Sequence, residues 1–391
     1  MNRKIKVLFL PRWYPHRYDS MIGLFIQRQA EAITKHCDVA VIYVHPDPSC
    51  PKKIEVEFNE ENDVRVLRVY YRPPANAGSV PGRILNFWRF YRSALKAIYS
   101  IRQFSPDIIH AHILTRAAYV AFRAGRKFHC PVVISEHWSR YFNENDTYNG
   151  WFRKIITQYV VSKAAAVVAV SEPLRKAMIQ CNLSNNLFRV IPNVVDTALF
   201  YPQEFSIPNP VKTFVHISCF DDKSKNISGF LRSVKELSVL RQDFRCLMIG
   251  NGPDWLDMKD YAGFLRIPEG LVQFTGVLNG TSLAEVLRKT DFSVLSSLYE
   301  TFGTVVIESL ASGVPVVSTS VGISPDVINE DNGLLLPTGD EAEMTRALSG
   351  MLDKCSSRDR KKISRGIAGR FDKEAVGKQL VDLYNEILKA K

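Results

Sequence analysis

Two carboxylates, Glu300 and Glu308, stand eight positions apart around a Phe-Gly turn in the stretch running from Ser296 to Ser318. An apolar run precedes Glu300, and Glu308 falls one to two turns into the helical pattern that follows. A strand, a turn of little bulk and a helix N-terminus make an anion site, because free main-chain N–H groups and the helix dipole both face the turn. Carboxylates repel phosphate, so beside such a site they serve to accept hydrogen bonds from hydroxyls on either side of it. Hydroxyls on both sides of a diphosphate describe a nucleotide sugar.

The elements that must hold these residues form two series. Short apolar runs at Lys6–Leu10, Val39–Val44, Val64–Tyr70, Ile108–Ala111, Val132–Ser135 and Ala166–Val170 alternate with helical stretches. A second series runs through Thr213–Ser218, Arg245–Ile249, Val272–Phe274, Phe292–Leu295 and Val314–Ser318. Such alternation predicts an α/β protein with two doubly wound domains, each a parallel sheet covered on both faces. A chain of 391 residues also exceeds what one hydrophobic core usually serves. The stretch Tyr201–Pro210 carries three prolines and reads as the linker. Ligands of such sheets bind beyond the carboxyl ends of the strands, which puts the site in the cleft between domains.

Several segments recur in a telling order: Ala169-Val170-Ser171-Glu172, then Val190-Ile191-Pro192-Asn193-Val194-Val195-Asp196 with Phe200 and Pro202, then Gly276-Val277, Gly303 to Pro315 and Asn332-Gly333-Leu334-Leu335. This series, over roughly the last two-thirds of the chain, resembles the retaining glycosyltransferases of family 4, or group 1. That resemblance implies the GT-B fold of two Rossmann-like domains. It also implies an acceptor-side domain over 1–203, a nucleotide-sugar domain over 204–370 and a terminal helix over 371–391 that crosses back to the first domain.

The resemblance further implies individual roles. Glu308 would hold the ribose hydroxyls and Glu300 the donor sugar near the reacting centre. Phe302, Gly303 and Thr304 would present main-chain N–H groups to sugar and phosphate, and the main chain near Val277 would meet the base. Lys225-Asn226 matches the position where the family places a lysine for the diphosphate. The partner arginine position is Cys219, which leaves open whether Lys223 supplies the missing charge or is a solvated loop lysine. Gly23 matches a first-loop glycine that lets diphosphate or acceptor approach; a plain helix-start glycine is the other reading. His137 matches a histidine near the donor sugar, whereas His110 and His112 read as hydrogen-bonded core residues. No third ligand stands at a spacing that would make His110 and His112 a metal site, and no Asp-x-Asp triplet occurs. The expectation is catalysis with no metal and no cofactor beyond the nucleotide sugar donor.

Charge and composition bound what remains. The net charge is +11, and residues 1–205 hold all of the excess, +12 against −1 for the rest. Arg83, Arg89, Arg92, Lys96 and Arg102 alternate with Phe87, Trp88, Phe90, Tyr91 and Tyr99 over 83–102. Two readings compete: a helix resting on anionic membrane lipid, or an ordinary surface helix with its aromatics in the core. Nucleic acid fits poorly, since the aromatics form a helix face and no recognition module. Seven scattered cysteines without Cys-x-x-Cys indicate neither a disulfide framework nor zinc. No apolar run approaches the length of a membrane span, so the cytoplasm, with a peripheral place on the inner face of the membrane, is the expected location. The dinucleotide fingerprint, the P-loop and the hydrolase elbow all lack their central residues. The expected activity is transfer of a hexose-type sugar, with retention, to a glycan or lipid-linked acceptor in surface glycan synthesis. The rivals are a phosphorylase or nucleotide-sugar epimerase of the same architecture, and a non-enzymatic basic binding protein.

Overall fold

The computed structural model describes residues 3–101, 104–114, 116–145, 147–203 and 210–390. Most of the proline-rich stretch, 204–209, and Arg102 of the basic aromatic stretch lie outside the described residues. In the first half, β1 (Ile5–Pro11), α1 (Leu24–Ala32), β2 (Cys37–Pro46), β3 (Ile54–Glu61), β4 (Val64–Tyr71), α2 (Val80–Ser100), β5 (Ile108–His112), α3 (Arg116–Phe128), β6 (Val132–Glu136), α4 (Trp151–Lys163), β7 (Ala166–Ala169), α5 (Glu172–Gln180) and β8 (Phe188–Val190) follow one another. The second half has β9 (Lys212–Ser218), α6 (Asp222–Lys225), α7 (Ile227–Leu240), β10 (Phe244–Gly250), α8 (Trp255–Phe264), β11 (Val272–Gly276), α9 (Gly280–Lys289), β12 (Phe292–Leu295), α10 (Thr304–Ala311), β13 (Val316–Thr319), α11 (Ser324–Val327), β14 (Gly333–Leu336), α12 (Glu341–Lys354), α13 (Arg360–Arg365) and α14 (Lys373–Lys389).

Two sheets result, in the orders β3-β4-β2-β1-β5-β6-β7-β8 and β11-β10-β9-β12-β13-β14. The central strands are buried on both faces: every residue of β5, β6, β7, β12 and β13 is buried. That is why they read as short, mainly apolar runs without a polar outer face. The second sheet is parallel throughout.

The first sheet departs from the expected all-parallel pattern at one edge, where β3 pairs antiparallel with β4. Asn62 and Asp63, both at positive φ, close a two-residue hairpin there, a turn that suits these residue types. Exposed Val56 and Phe58 and four glutamates gave this strand no apolar run to find, and charge on an edge strand blocks further pairing. The strands β8 and β14 also went unanticipated, being three and four residues long.

The last helix belongs physically to the first sheet's core. Val376, Leu380, Leu383 and Tyr384 of α14 are buried in one cluster with β1, β2 and α1. Gly377 lets the helices touch, since a Cβ there would lie 2.2 Å from the Ala32 carbonyl oxygen.

Candidate functional site between the two sheets

The Glu300 turn begins where β12 ends. Gly303 caps α10 with φ 85° and without a side-chain cap, so the first N–H groups of α10 keep no intrahelical acceptor. Around Gly303, nothing would approach an added Cβ within 3.8 Å. The glycine is therefore demanded by its dihedral and not by crowding, and space is left beside the helix start. Two clamps hold the turn. The Ser171 hydroxyl, at the start of α5 in the first half, donates to the Thr301 carbonyl at 2.5 Å. Ile323 N–H donates to the Phe302 carbonyl at 2.8 Å, and the Phe302 ring is buried against Phe371.

Lys225 closes α6, and its ammonium donates directly to Glu300 Oε1. Ser297 Oγ donates to the same oxygen at 3.0 Å. The two loops are stitched together: Ser296 Oγ donates to the Lys225 carbonyl at 2.7 Å and Leu298 N–H to that of Ser224 at 2.8 Å. Burial alone would lower the Lys225 pKa, but Glu300, Cys219 and Asp221 outweigh it and the net shift is upward. The ammonium is thus held charged in a largely enclosed place. Asn226 follows in the left-handed region at φ 50°, its side-chain amide lying over Gly229.

The remaining second-half candidates fall at different depths. Val277 is exposed just past β11. Cys219, at the family's arginine position, is exposed and close enough to act on Lys225 electrostatically. Lys223 is exposed and reaches the Asn145 carbonyl in the first half at 3.5 Å, so it does not join the Lys225–Glu300 pair.

Glu308 faces the first half. Its Oε1 accepts from Arg28 Nη1 of α1 at 2.8 Å, with both side chains about nine-tenths buried. Burial raises the Glu308 pKa, against the opposing pull of Arg28. Gly23 caps α1 at φ 70°, and a Cβ there would lie 2.3 Å from the Trp13 carbonyl oxygen. Both this dihedral and the approach to Trp13 therefore demand a glycine here.

His137 follows β6 directly. Glu136 fixes that bend by accepting from the N–H groups of Leu114, His137 and Trp138 and from the Tyr141 hydroxyl. His137 Nε2 lies 3.3 Å from His112 Nδ1, its Nδ1 has no partner among the described residues, and Phe25 covers one side of the ring. Burial pushes its pKa down to about 3, so the imidazole is neutral at physiological pH. His110 is a core residue tied to Tyr384 Oη and Ser135 Oγ, each at 2.7 Å. Among the described residues no group of three or more His, Cys, Asp or Glu is placed to hold a metal ion.

The basic helix α2 divides along its length. Phe90, Tyr91, Leu95 and Tyr99 pack on the core, while Ile84, Leu85 and Trp88 are exposed beside exposed Arg83, Arg89, Arg92 and Lys96. No described helix is long and apolar enough to cross a membrane.

Arg28 and Ser171 were not singled out as site residues by sequence. Their partners lie 280 and 130 positions away, and no local spacing encodes such a contact.

Comparison with known proteins covers both halves. A family model described as Glycosyltransferase Family 4 matches residues 22–199, and one described as Glycosyl transferases group 1 matches residues 211–354. The N-acetyl-alpha-D-glucosaminyl L-malate synthase of Bacillus anthracis is 25% identical over 297 residues, spanning 72% of this chain and 75% of that protein. Among solved structures, the sucrose-phosphate synthase of Thermosynechococcus elongatus superposes with a TM-score of 0.79 at 20% identity, over 100% of both chains. HepE of Anabaena, solved in complex with UDP and glucose, gives 0.70 at 17% identity over 98% of this chain and 100% of that one. The two sheets and their helices are the GT-B fold.

Proposed function

Because the chain belongs to the family 4, group 1 glycosyltransferases, we propose that it moves a hexose-type unit from a nucleoside diphosphate sugar to an acceptor hydroxyl with retention at the anomeric carbon. The setting we assign is surface glycan synthesis. One observation carries the reading: Lys225 and Glu300 meet beside the uncapped start of α10. A diphosphate needs a cation and oriented N–H groups together, and this is where the second half offers both.

In this reading the diphosphate takes Lys225 and the N–H groups of Gly303 and Thr304. Lys225 and the helix dipole then stabilise charge as it builds on the leaving group, the kind of electrostatic effect that usually carries most of a rate enhancement. No divalent ion is invoked. Glu300, released from Lys225 in part, accepts from a donor sugar hydroxyl, and the unpartnered Nδ1 of His137 supplies a further hydrogen bond to the sugar. Glu308 shares its carboxylate between Arg28 and the ribose. The main chain near Val277 meets the base, and Asn226 shapes the turn that presents Lys225. Attack from the front face, aided by the departing phosphate, accounts for retention without a protein nucleophile.

A thermal-shift series with UDP, GDP and ADP tests the donor class. A ligand that binds only the folded state at a hundred times its Kd adds about 2.7 kcal/mol, so one of the three must raise Tm. The UDP seen in HepE makes uridine diphosphate the first to try. Proton NMR of the product from the matching sugar nucleotide, with and without EDTA, then reads retention and metal dependence. Inverted product, or no stabilisation by any nucleotide, contradicts the proposal.

A further inference from the structure

A second site opens at the carboxyl ends of β1, β5 and β6, where the chain turns at Arg12, Leu114 and Trp138. A cavity of about 500 Å³ there is lined by Arg12, Arg116, Arg140 and Arg153, and no carboxylate lines it. Arg12 and Arg140 flank Trp138, with guanidinium carbons 5.2 and 3.4 Å from the ring. Arg140 Nε is buried and has no partner among the described residues. Burial, then Arg116 and Arg140, lower the Arg12 pKa, and buried Glu136 offsets them only in part. Cations that repel one another in a half-enclosed place call for an anion between them.

The cavity continues into another of about 700 Å³, and the two share Phe87, Tyr119, Ile156 and Val160 as a common wall. Trp88, Tyr91, Phe122 and Tyr159 line the far part together with Arg123, Arg126 and Lys163, again without a carboxylate. Of the lining residues, Trp88, Phe152 and Tyr159 are exposed, large apolar side chains of the kind that mark a binding surface. The arginine end borders the proposed donor site. Trp138 follows His137 and its ring lies tilted against Trp13 with centroids 5.4 Å apart, and Phe142 of the same loop meets Tyr299, the neighbour of Glu300, at 6.5 Å.

We propose that this joined cavity is the acceptor site and that its ligand is one long-chain lipid phosphate or diphosphate, with the anionic head among the four arginines and the hydrocarbon along the aromatic trough. The inference rests on the glycosyltransferase reading above and adds the class of acceptor to it. A single amphiphile fits better than a bilayer face, because the arginines line a concavity instead of a flat surface. The glycan carried on the head would then project past Trp138 toward Glu300.

The test is calorimetric titration of UDP-saturated protein, so that the donor site is filled, with farnesyl diphosphate, inorganic pyrophosphate and farnesol. Farnesyl diphosphate should bind at least tenfold more tightly than either part alone. Arg116→Ala with Arg153→Ala should weaken it tenfold or more. Trp88→Ala with Tyr159→Ala should weaken farnesyl diphosphate and leave pyrophosphate unchanged. Stabilisation by UDP reports separately that each variant is folded and that the donor reading stands, and Arg116→Lys with Arg153→Lys serves if the alanine pair fails to fold. Equal affinity for farnesyl diphosphate and pyrophosphate overturns the proposal. So does co-sedimentation with phosphatidylglycerol vesicles that farnesyl diphosphate does not compete away. Absence of any UDP effect sinks the donor reading instead, whatever farnesyl diphosphate does.

Discussion

Arg28 Nη1 lies 2.8 Å from Glu308 Oε1, joining α1 of the first half to α10 of the second in a buried ion pair. Desolvating both charges is costly, so the pair adds little to stability by itself, but breaking it strands a charge. Arg28→Ala should lower unfolding free energy by about 3–5 kcal/mol, whereas Arg28→Met combined with Glu308→Leu should recover most of that. Urea unfolding of the three proteins decides it; a double variant no better than the single one contradicts the account.

Lys225→Ala removes the ammonium assigned to the leaving diphosphate, and Glu300→Gln removes the negative charge at the sugar, leaving a neutral amide with one accepting oxygen in place of two. Each should lower kcat by roughly 10²–10³, the scale seen when a transition-state donor is deleted. Circular dichroism should show both variants folded. Near-normal turnover in either one refutes its role.

Two glycines of the site should respond differently to alanine. At Gly303 the space is open and only the positive φ resists, which costs about 1–2 kcal/mol. At Gly322, with φ 55°, the new Cβ would also lie 2.5 Å from the Phe302 carbonyl oxygen. Gly322→Ala should therefore be the more destabilising in urea titration, and the reverse order would show the turn is built otherwise.

Acid should weaken the fold through its histidines. Burial pushes His110, His137 and His216 each down to about 3. Between that value and the ordinary one near 6.5 the unfolded chain binds more protons than the native one, so stability is present above the ordinary pKa and falls as pH drops below it. Each such group contributes up to about 1.4 kcal/mol per pH unit in that window. Glu308 and Glu136, raised by burial, act with the opposite sign in the carboxylate range. Urea midpoints should decline from pH 7 to pH 5, and a flat profile would be inconsistent with neutral buried imidazoles.

Much of this architecture was legible because buried parallel strands announce themselves. Phe292–Leu295 was read with its true limits, and the other ten anticipated strands lie within two residues of their ends. The turn carrying Glu300 and Gly303 was legible for the same reason, its chemistry being local. What escaped was either amphipathic at an edge, as in β3, or set by contacts distant in sequence. Glu308 is eight residues from Glu300, yet its partner is Arg28, and the Cys219 departure gave no hint of that. The stretch over 83–102 read two ways because its helix divides: Phe90, Tyr91 and Tyr99 pack on the core, while Trp88, earlier in it, is exposed.

The account turns on where a diphosphate sits. Crystals soaked with UDP should place it at the start of α10, with phosphate oxygens within hydrogen-bonding distance of Lys225 Nζ and the N–H groups of Gly303 and Thr304, ribose at Glu308 and base toward Val277. An empty α10 terminus, or a nucleotide bound in the opposite sense, would contradict it.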